Sequence, residues 1–225
     1  MNEEYWLDKW ERQDTAFHQD EVNEDLRSFW QSLDVRPDET VFVPLCGKSR
    51  DVLWLRARGN AVVGVELSHS AVESFFSENE IAVTWKRQGS FDVAESDGIR
   101  ILCGDVFDLT AEDLGSVTAV YDRAALVALP TSMRERYVAC LLDVLDSGTR
   151  MLLVTLEYRQ EEMKGPPFSV PLAEVERLYH GRAEIDALSR RSILAEEPHF
   201  AERGVTSLHG CAFRVRLFQT KKAVS

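Results

Sequence analysis

Four short stretches place chemically useful side chains at the ends of apolar runs. Residues 41 to 49, VFVPLCGKS, leave an apolar run through a turn that ends Gly47-Lys48-Ser49. Ala61 to Glu66 ends in an acid, Ile99 to Cys103 leads into Gly104-Asp105-Val106, and Val117 to Tyr121 leads into Asp122-Arg123. Gly-Lys-Ser suggests a phosphate loop, but the backbone cradle needs a second glycine five residues earlier. That position is Phe42, inside the apolar run. The dinucleotide fingerprint Gly-x-Gly-x-x-Gly is absent as well. What remains is a tight turn at Leu45 to Gly47 and an acid, Glu66, spaced to accept hydrogen bonds from ribose hydroxyls. Asp105 offers a further acceptor and Val106 an apolar contact, a pair able to flank a base. Taken singly, Glu66 reads as a surface acid, Asp105 as turn chemistry and Arg123 as an ion-pair partner. Their convergence at four run ends points to a nucleoside ligand without a phosphate, and S-adenosyl-L-methionine is such a ligand.

The elements that must position these residues alternate. Val41–Val43, Ala61–Glu66, Ile99–Cys103, Val117–Tyr121 and Met151–Leu156 read as strands. Between them lie helical patterns: one from Val52 ending at Gly59, one capped by Ser68 or Ser70 with Val72, Phe75 and Phe76 inward, and one beginning near Pro130. Ser132-x-x-Glu135 reads as a capping box, with Tyr137, Val138, Leu141, Leu142 and Leu145 as the buried stripe and Gly148 as the C-terminal cap. Residues 80 to 97 are less regular and suit a hairpin or an extended insertion. Pro171 opens a helix closed by Gly181, Ala183–Leu188 is a weaker strand, and Phe213, Val215 and Leu217 alternate with arginines in a final antiparallel strand. Ahead of the sheet, Val22, Leu26, Phe29, Trp30 and Leu33 predict an amphipathic helix over 20–34, and Trp6 and Trp10 share one face of an earlier turn. The pattern predicts an α/β class with about seven strands, mostly parallel, and helices on both faces. It predicts a single domain over 1–225, with residues 1–38 as a helical lid and 39–225 as the sheet core.

Charge narrows the partner. The formal net charge is -12, and the first 40 residues hold twelve acids against four bases. Such a surface repels nucleic acid, so a small-molecule substrate is expected, with no nucleic-acid partner. No apolar run is long enough to span a membrane, and residues 1–6 lack a basic, apolar leader. A cytoplasmic monomer is the expectation. Cys46, Cys103, Cys140 and Cys211 form no Cys-x-x-Cys pair and read as reduced core thiols, with no metal site.

Six motifs in order resemble the thiopurine S-methyltransferase family in its bacterial form. They are Trp6-x-x-x-Trp10, Thr15-Ala16-Phe17-His18-Gln19, Pro44-Leu45-Cys46-Gly47-Lys48, Val63-Gly64-Val65-Glu66-Leu67-Ser68, Asp122-Arg123-Ala124-Ala125-Leu126-Val127-Ala128 and Gly165-Pro166-Pro167-Phe168. The resemblance implies a class I methyltransferase fold with a seven-stranded sheet, and S-adenosyl-L-methionine as cofactor with S-adenosyl-L-homocysteine as product. It implies that Trp10, Leu45, Glu66 and Arg123 contact the cofactor, with Asp105 and Val106 near the adenine. Phe17 matches a position lining the acceptor pocket, and Arg203 an arginine that approaches the substrate. The chain departs from the family at Gln13-Asp14, where bacterial relatives often carry a glycine.

The implied reaction is in-line attack of a small aromatic or heterocyclic thiolate, such as a thiopurine, on a sulfonium methyl. Arg123 and Arg203 would favour the anion. No dedicated general base is evident; His18 is the candidate, set against the commoner structural role of a lone histidine. Selenium or tellurium methylation is the alternative on the same site, and a non-catalytic nucleoside-binding regulator a more distant one. Gly165-Pro166-Pro167-Phe168 also resembles the Asn-Pro-Pro-Tyr motif of nucleic-acid amino-methyltransferases, but here it follows the fifth strand instead of the fourth.

Overall fold

The computed structural model describes residues 3–15 and 18–218. The chain divides into two compact units, Met1–Tyr121 and Asp122–Ser225.

The first unit opens with α1 (Glu3–Glu11). Asp14 N–H donates to the Lys9 carbonyl and Gln13 N–H to the Trp10 carbonyl, a Schellman closure. Such a closure wants a left-handed residue, and Gln13 supplies it at φ 56°. Helix α2 (Glu24–Phe29) is capped by the Asn23 side chain, which accepts from Asp25 and Leu26 N–H. A 3₁₀ turn follows over Trp30–Leu33 and ends at Asp34, φ 51°. The helix predicted over 20–34 is therefore shorter and broken, because the Asn23 cap fixes its start and leaves Val22 outside.

The sheet residues are placed as the alternation predicts. β1 (Thr40–Val43), α3 (Arg50–Ala57), β2 (Ala61–Glu66) and α4 (His69–Glu78) follow in turn. The irregular stretch is a hairpin, β3 (Thr84–Gln88) and β4 (Phe91–Ser96), which leads to β5 (Ile99–Cys103). A short helix, α5 (Ala111–Leu114), precedes β6 (Val117–Arg123). β1 pairs in parallel with β2 and β6, and β2 with β5, while β4 pairs antiparallel with both β3 and β5. Val41, Phe42, Val62, Val65, Ile101, Leu102, Ala119 and Val120 are almost wholly buried along these strands, as continuous apolar parallel strands require. Asp51, 1 % exposed, accepts from Asn23 N–H at 2.8 Å and from the Tyr121 hydroxyl at 3.0 Å, so this buried charge is hydrogen-bonded.

The second unit holds α6 (Ala125–Ala128), α7 (Thr131–Val144), β7 (Arg150–Glu157), α8 (Leu172–Leu178), β8 (Ala183–Ser192), α9 (Pro198–Glu202) and β9 (His209–Leu217). β9 pairs antiparallel with β7 on one side and β8 on the other. Its arginines point to the less buried face, as the alternation predicts. The described residues thus hold nine strands against the seven expected, the β3–β4 hairpin supplying the additional pair.

The predicted capping box fails. α7 starts two residues earlier than that box requires, at Thr131, with Pro130 in the cap position and no side-chain cap. Glu135 instead accepts from Arg177 at 2.5 Å. Gly148, φ 82°, lies beyond the helix, whose C-cap is Leu145, and donates to the Leu217 carbonyl. Leu142 is only partly buried.

Candidate active site

In the first unit the strand ends converge. β1 runs into Leu45 and Gly47, both left-handed, at φ 47° and 52°. For a leucine that conformation carries strain of order 1 kcal/mol or more. It persists because the turn is held on both sides: Cys46 N–H donates to the Val65 carbonyl at 3.0 Å, and Gly47 N–H to Glu66 Oε2 at 2.8 Å. Glycine has a second cause here. A Cβ on Gly47 would lie 3.1 Å from the Trp10 ring, so α1 and the turn approach closely. Trp10 is buried while Trp6 is only partly so.

The rest of the apparent phosphate signature is structural. Lys48 Nζ pairs with Glu78 at 2.7 Å, and the Ser49 hydroxyl caps α3 by accepting from Asp51 N–H.

Glu66 is 6 % exposed at the end of β2. Its carboxylate accepts from Gly47 N–H and, through Oε1, from Ser68 N–H at 2.9 Å. Burial raises its pKa, while these N–H groups act in the opposite direction. The Leu67 N–H also acts on the carboxylate, which can accept about four hydrogen bonds and so keeps capacity for a ligand. The Glu66 carbonyl takes Gly104 N–H at 2.9 Å, which brings the 104–106 turn alongside. Asp105 caps that turn by accepting from Phe107 N–H, and Val106 is 7 % exposed. The turn chemistry weighed for Asp105 in the sequence is what its side chain does here.

In the second unit, Asp122 is fully buried and Oδ2 accepts from the Tyr137 hydroxyl at 2.8 Å. Arg123 follows, then Ala124 at φ 69°, which turns the chain into α6. The second motif, 165–168, is tightly folded. Both Gly165-Pro166 and Pro166-Pro167 are cis, and a Cβ on Gly165 would lie 2.5 Å from the Phe168 ring. The Tyr158 hydroxyl donates to the Pro167 carbonyl at 2.6 Å, and Phe168 N–H to the Val127 carbonyl at 2.6 Å. Arg203 follows α9, is exposed, and reaches the Pro166 carbonyl at 3.5 Å. His18 Nε2 lies 3.5 Å from Asp20 Oδ1. Phe17 lies outside the described residues.

Asp122 had no assigned role in the sequence. Burial raises its pKa to about 7 from the ordinary 3.8, outweighing the Tyr137 hydroxyl and the Ala125 N–H. Between those values the folded chain holds a proton that the unfolded chain has released. The stability from this group is therefore present below about pH 4 and is lost as pH rises through about 7. Asp122→Asn removes the effect. Urea melts from pH 4 to 8 should show the wild type losing a few kcal/mol more than the variant across that range. Parallel pH dependences would contradict this.

The family model for thiopurine S-methyltransferase matches residues 1–216. The chain belongs to the thiopurine S-methyltransferase family. A thiopurine S-methyltransferase of Nitrosospira multiformis is 48% identical over 213 residues, 95% of this chain and 97% of that one. One from Bordetella petrii is 45% identical over 216 residues, 96% and 99% of the two chains. Among solved structures, the Burkholderia thailandensis 1,6-didemethyltoxoflavin-N1-methyltransferase with bound S-adenosylhomocysteine aligns with a TM-score of 0.65 at 12% identity, covering 96% of this chain and 87% of that one. A SAM-dependent methyltransferase from Anabaena variabilis aligns at 0.63 and 15%, covering 96% of each. These likenesses show the α/β methyltransferase fold. Among the described residues no helix is long and apolar enough to cross a membrane.

Proposed function

We propose that the chain transfers a methyl group from S-adenosyl-L-methionine to the sulfur of small aromatic and heterocyclic thiols, thiopurines among them. The observation that carries this reading is Glu66, a buried carboxylate aimed by two backbone N–H groups at the end of β2, in a chain whose family match spans residues 1–216. The residues suit an adenosyl group. Glu66 has acceptor positions left for a ribose diol, Gly47 adds no side chain where Trp10 comes close, and Asp105 and Val106 pair an acceptor with an apolar wall. Trp10, Leu45, Gly47, Glu66, Asp105, Val106 and Arg123 are the residues we assign to holding it.

When bound, this cofactor supplies a methyl carbon already activated by its sulfonium, which the acceptor thiolate displaces in line. The protein's part is then mainly placement, an effect worth roughly 7–11 kcal/mol. We assign Trp10, close to Gly47, to the sulfonium, where an aromatic ring against a cation contributes about 0.5–2 kcal/mol. Arg123 and Arg203 supply the fixed positive charge that favours the acceptor as an anion. We assign Phe17 to the acceptor pocket and the 5–20 segment to a lid that excludes water. The charge of -12 favours a small-molecule acceptor over nucleic acid, and we take the chain to act as a cytoplasmic monomer.

A panel tests the reading. Steady-state kcat/KM should be highest for aromatic thiols and thiopurines, far lower for their hydroxyl counterparts, and absent for oligonucleotides. Selenite and tellurite belong in the same panel. Turnover of those oxyanions without turnover of thiols, or cofactor binding without any turnover, contradicts it.

A further inference from the structure

Arg134 is the largest fully buried side chain among the described residues, and no sequence signal set it apart. It sits on α7 with 1 % exposure. Its Nε donates to the Leu126 carbonyl at 3.1 Å and the Leu129 carbonyl at 3.0 Å. Its Nη1 donates to the Ser169 carbonyl at 3.1 Å and pairs with Glu174 at 2.7 Å. The guanidinium carbon stands 5.9 Å from the centre of the Phe168 ring. A buried charge needs such compensation, and here the four acceptors come from three separate segments while Nη2 makes no hydrogen bond.

The segments matter more than the number of bonds. Leu126 belongs to α6 and Leu129 follows it, three and six residues on from Arg123 and just past the left-handed Ala124. Ser169 follows the 165–168 motif, whose Pro166 carbonyl receives Arg203 and whose Phe168 N–H is bonded to Val127. One planar fork thus spans the backbone that carries Arg123 and the backbone that supports Arg203. Lysine, a point donor on a flexible stem, cannot bond all of these partners at once.

We propose that Arg134 is a positioning residue for methyl transfer: it locks the 123–129 and 165–169 segments together and so fixes where the Arg123 and Arg203 charges lie. This rests on the acceptor roles given to those two arginines under Proposed function. A residue that only stabilised the fold would not alter how the acceptor ionises. A positioning residue would, because displaced arginines favour the thiolate less.

Arg134→Lys in the full chain tests this with two readouts. With thiol as acceptor at saturating S-adenosyl-L-methionine, kcat/KM is expected to fall on the order of 100-fold, the scale of a misplacement of about 1 Å. The alkaline-rising limb of its kcat–pH profile should move upward, in the same direction as in Arg123→Ala and Arg203→Ala. Hydrogen exchange at Phe168 N–H should quicken while amides of the β7–β9 pairing keep their protection. An unmoved profile, or unchanged exchange at Phe168, overturns the proposal. If Arg134→Lys loses the β7–β9 protection as well, Glu174→Gln takes its place. That variant weakens one bond of the fork, and the same two shifts, smaller in size, are required of it. If Arg123→Ala and Arg203→Ala leave the thiol profile unmoved, the acceptor assignment has failed. The exchange at Phe168 then decides alone whether Arg134 ties the two segments.

Discussion

Glu66→Ala is expected to weaken binding of S-adenosyl-L-methionine on the order of 100-fold or more, by isothermal titration. Hydrogen bonds to a charged group contribute about 1.5–3 kcal/mol each, and every 1.4 kcal/mol is tenfold in affinity. The proposed ribose diol makes two of them. The substitution also leaves the Gly47 and Ser68 N–H groups without the carboxylate that orients the turn. Glu66→Gln should fall between the two, since its amide can accept through one oxygen only and sets an NH₂ against the other backbone donor. Thermal melts separate the effects. A loss of stability with unchanged donor affinity would mean that Glu66 serves the turn and not the ligand.

Arg123→Ala is expected to lower kcat/KM for thiols on the order of 100-fold and to shift the pH profile of kcat upward by about one to three pH units. A cation within 4–6 Å depresses an acid's pKa by roughly that much. With the guanidinium present, the bound thiol ionises at lower pH. Without it, less thiolate exists at pH 7 and the rate recovers only at higher pH. Because Arg123 is also assigned to the cofactor, the profile should be measured at saturating donor. Arg203→Ala should move the profile the same way. A lowered rate with an unmoved profile would assign these arginines to binding alone.

Much of the first unit was legible because its signals are local. A strand buried on both faces reads as an apolar run, and a parallel pairing places the next chemical residue at each run's end. Counting from Gly47 excluded the phosphate loop, and the fates of Lys48 and Ser49, one in an ion pair and one in a cap, agree with that. The misses have different causes. Pro130 displaced the Ser132-x-x-Glu135 box because a proline cap competes with a side-chain cap over the same turn. Asn23 cut a long apolar periodicity short, since a strong cap outranks a stripe of apolar residues in fixing where a helix begins. Asp51, Asp122 and Arg134 escaped notice because charge in a helix or at a strand end reads as surface. Only tertiary pairing brings the Tyr121 and Tyr137 hydroxyls and the carbonyls of Leu126, Leu129 and Ser169 to them.

The central claim is that the methyl group ends on sulfur. Incubation with S-adenosyl-L-methionine carrying a ¹³C-methyl group and a thiopurine acceptor, followed by NMR of the product, tests it most directly. The account predicts a single labelled methyl resonance at the S–CH₃ position, with S-adenosyl-L-homocysteine formed in equal amount and the signal lost in Glu66→Ala. A methyl group on a ring nitrogen, or cofactor turnover without a methylated thiol, would contradict it.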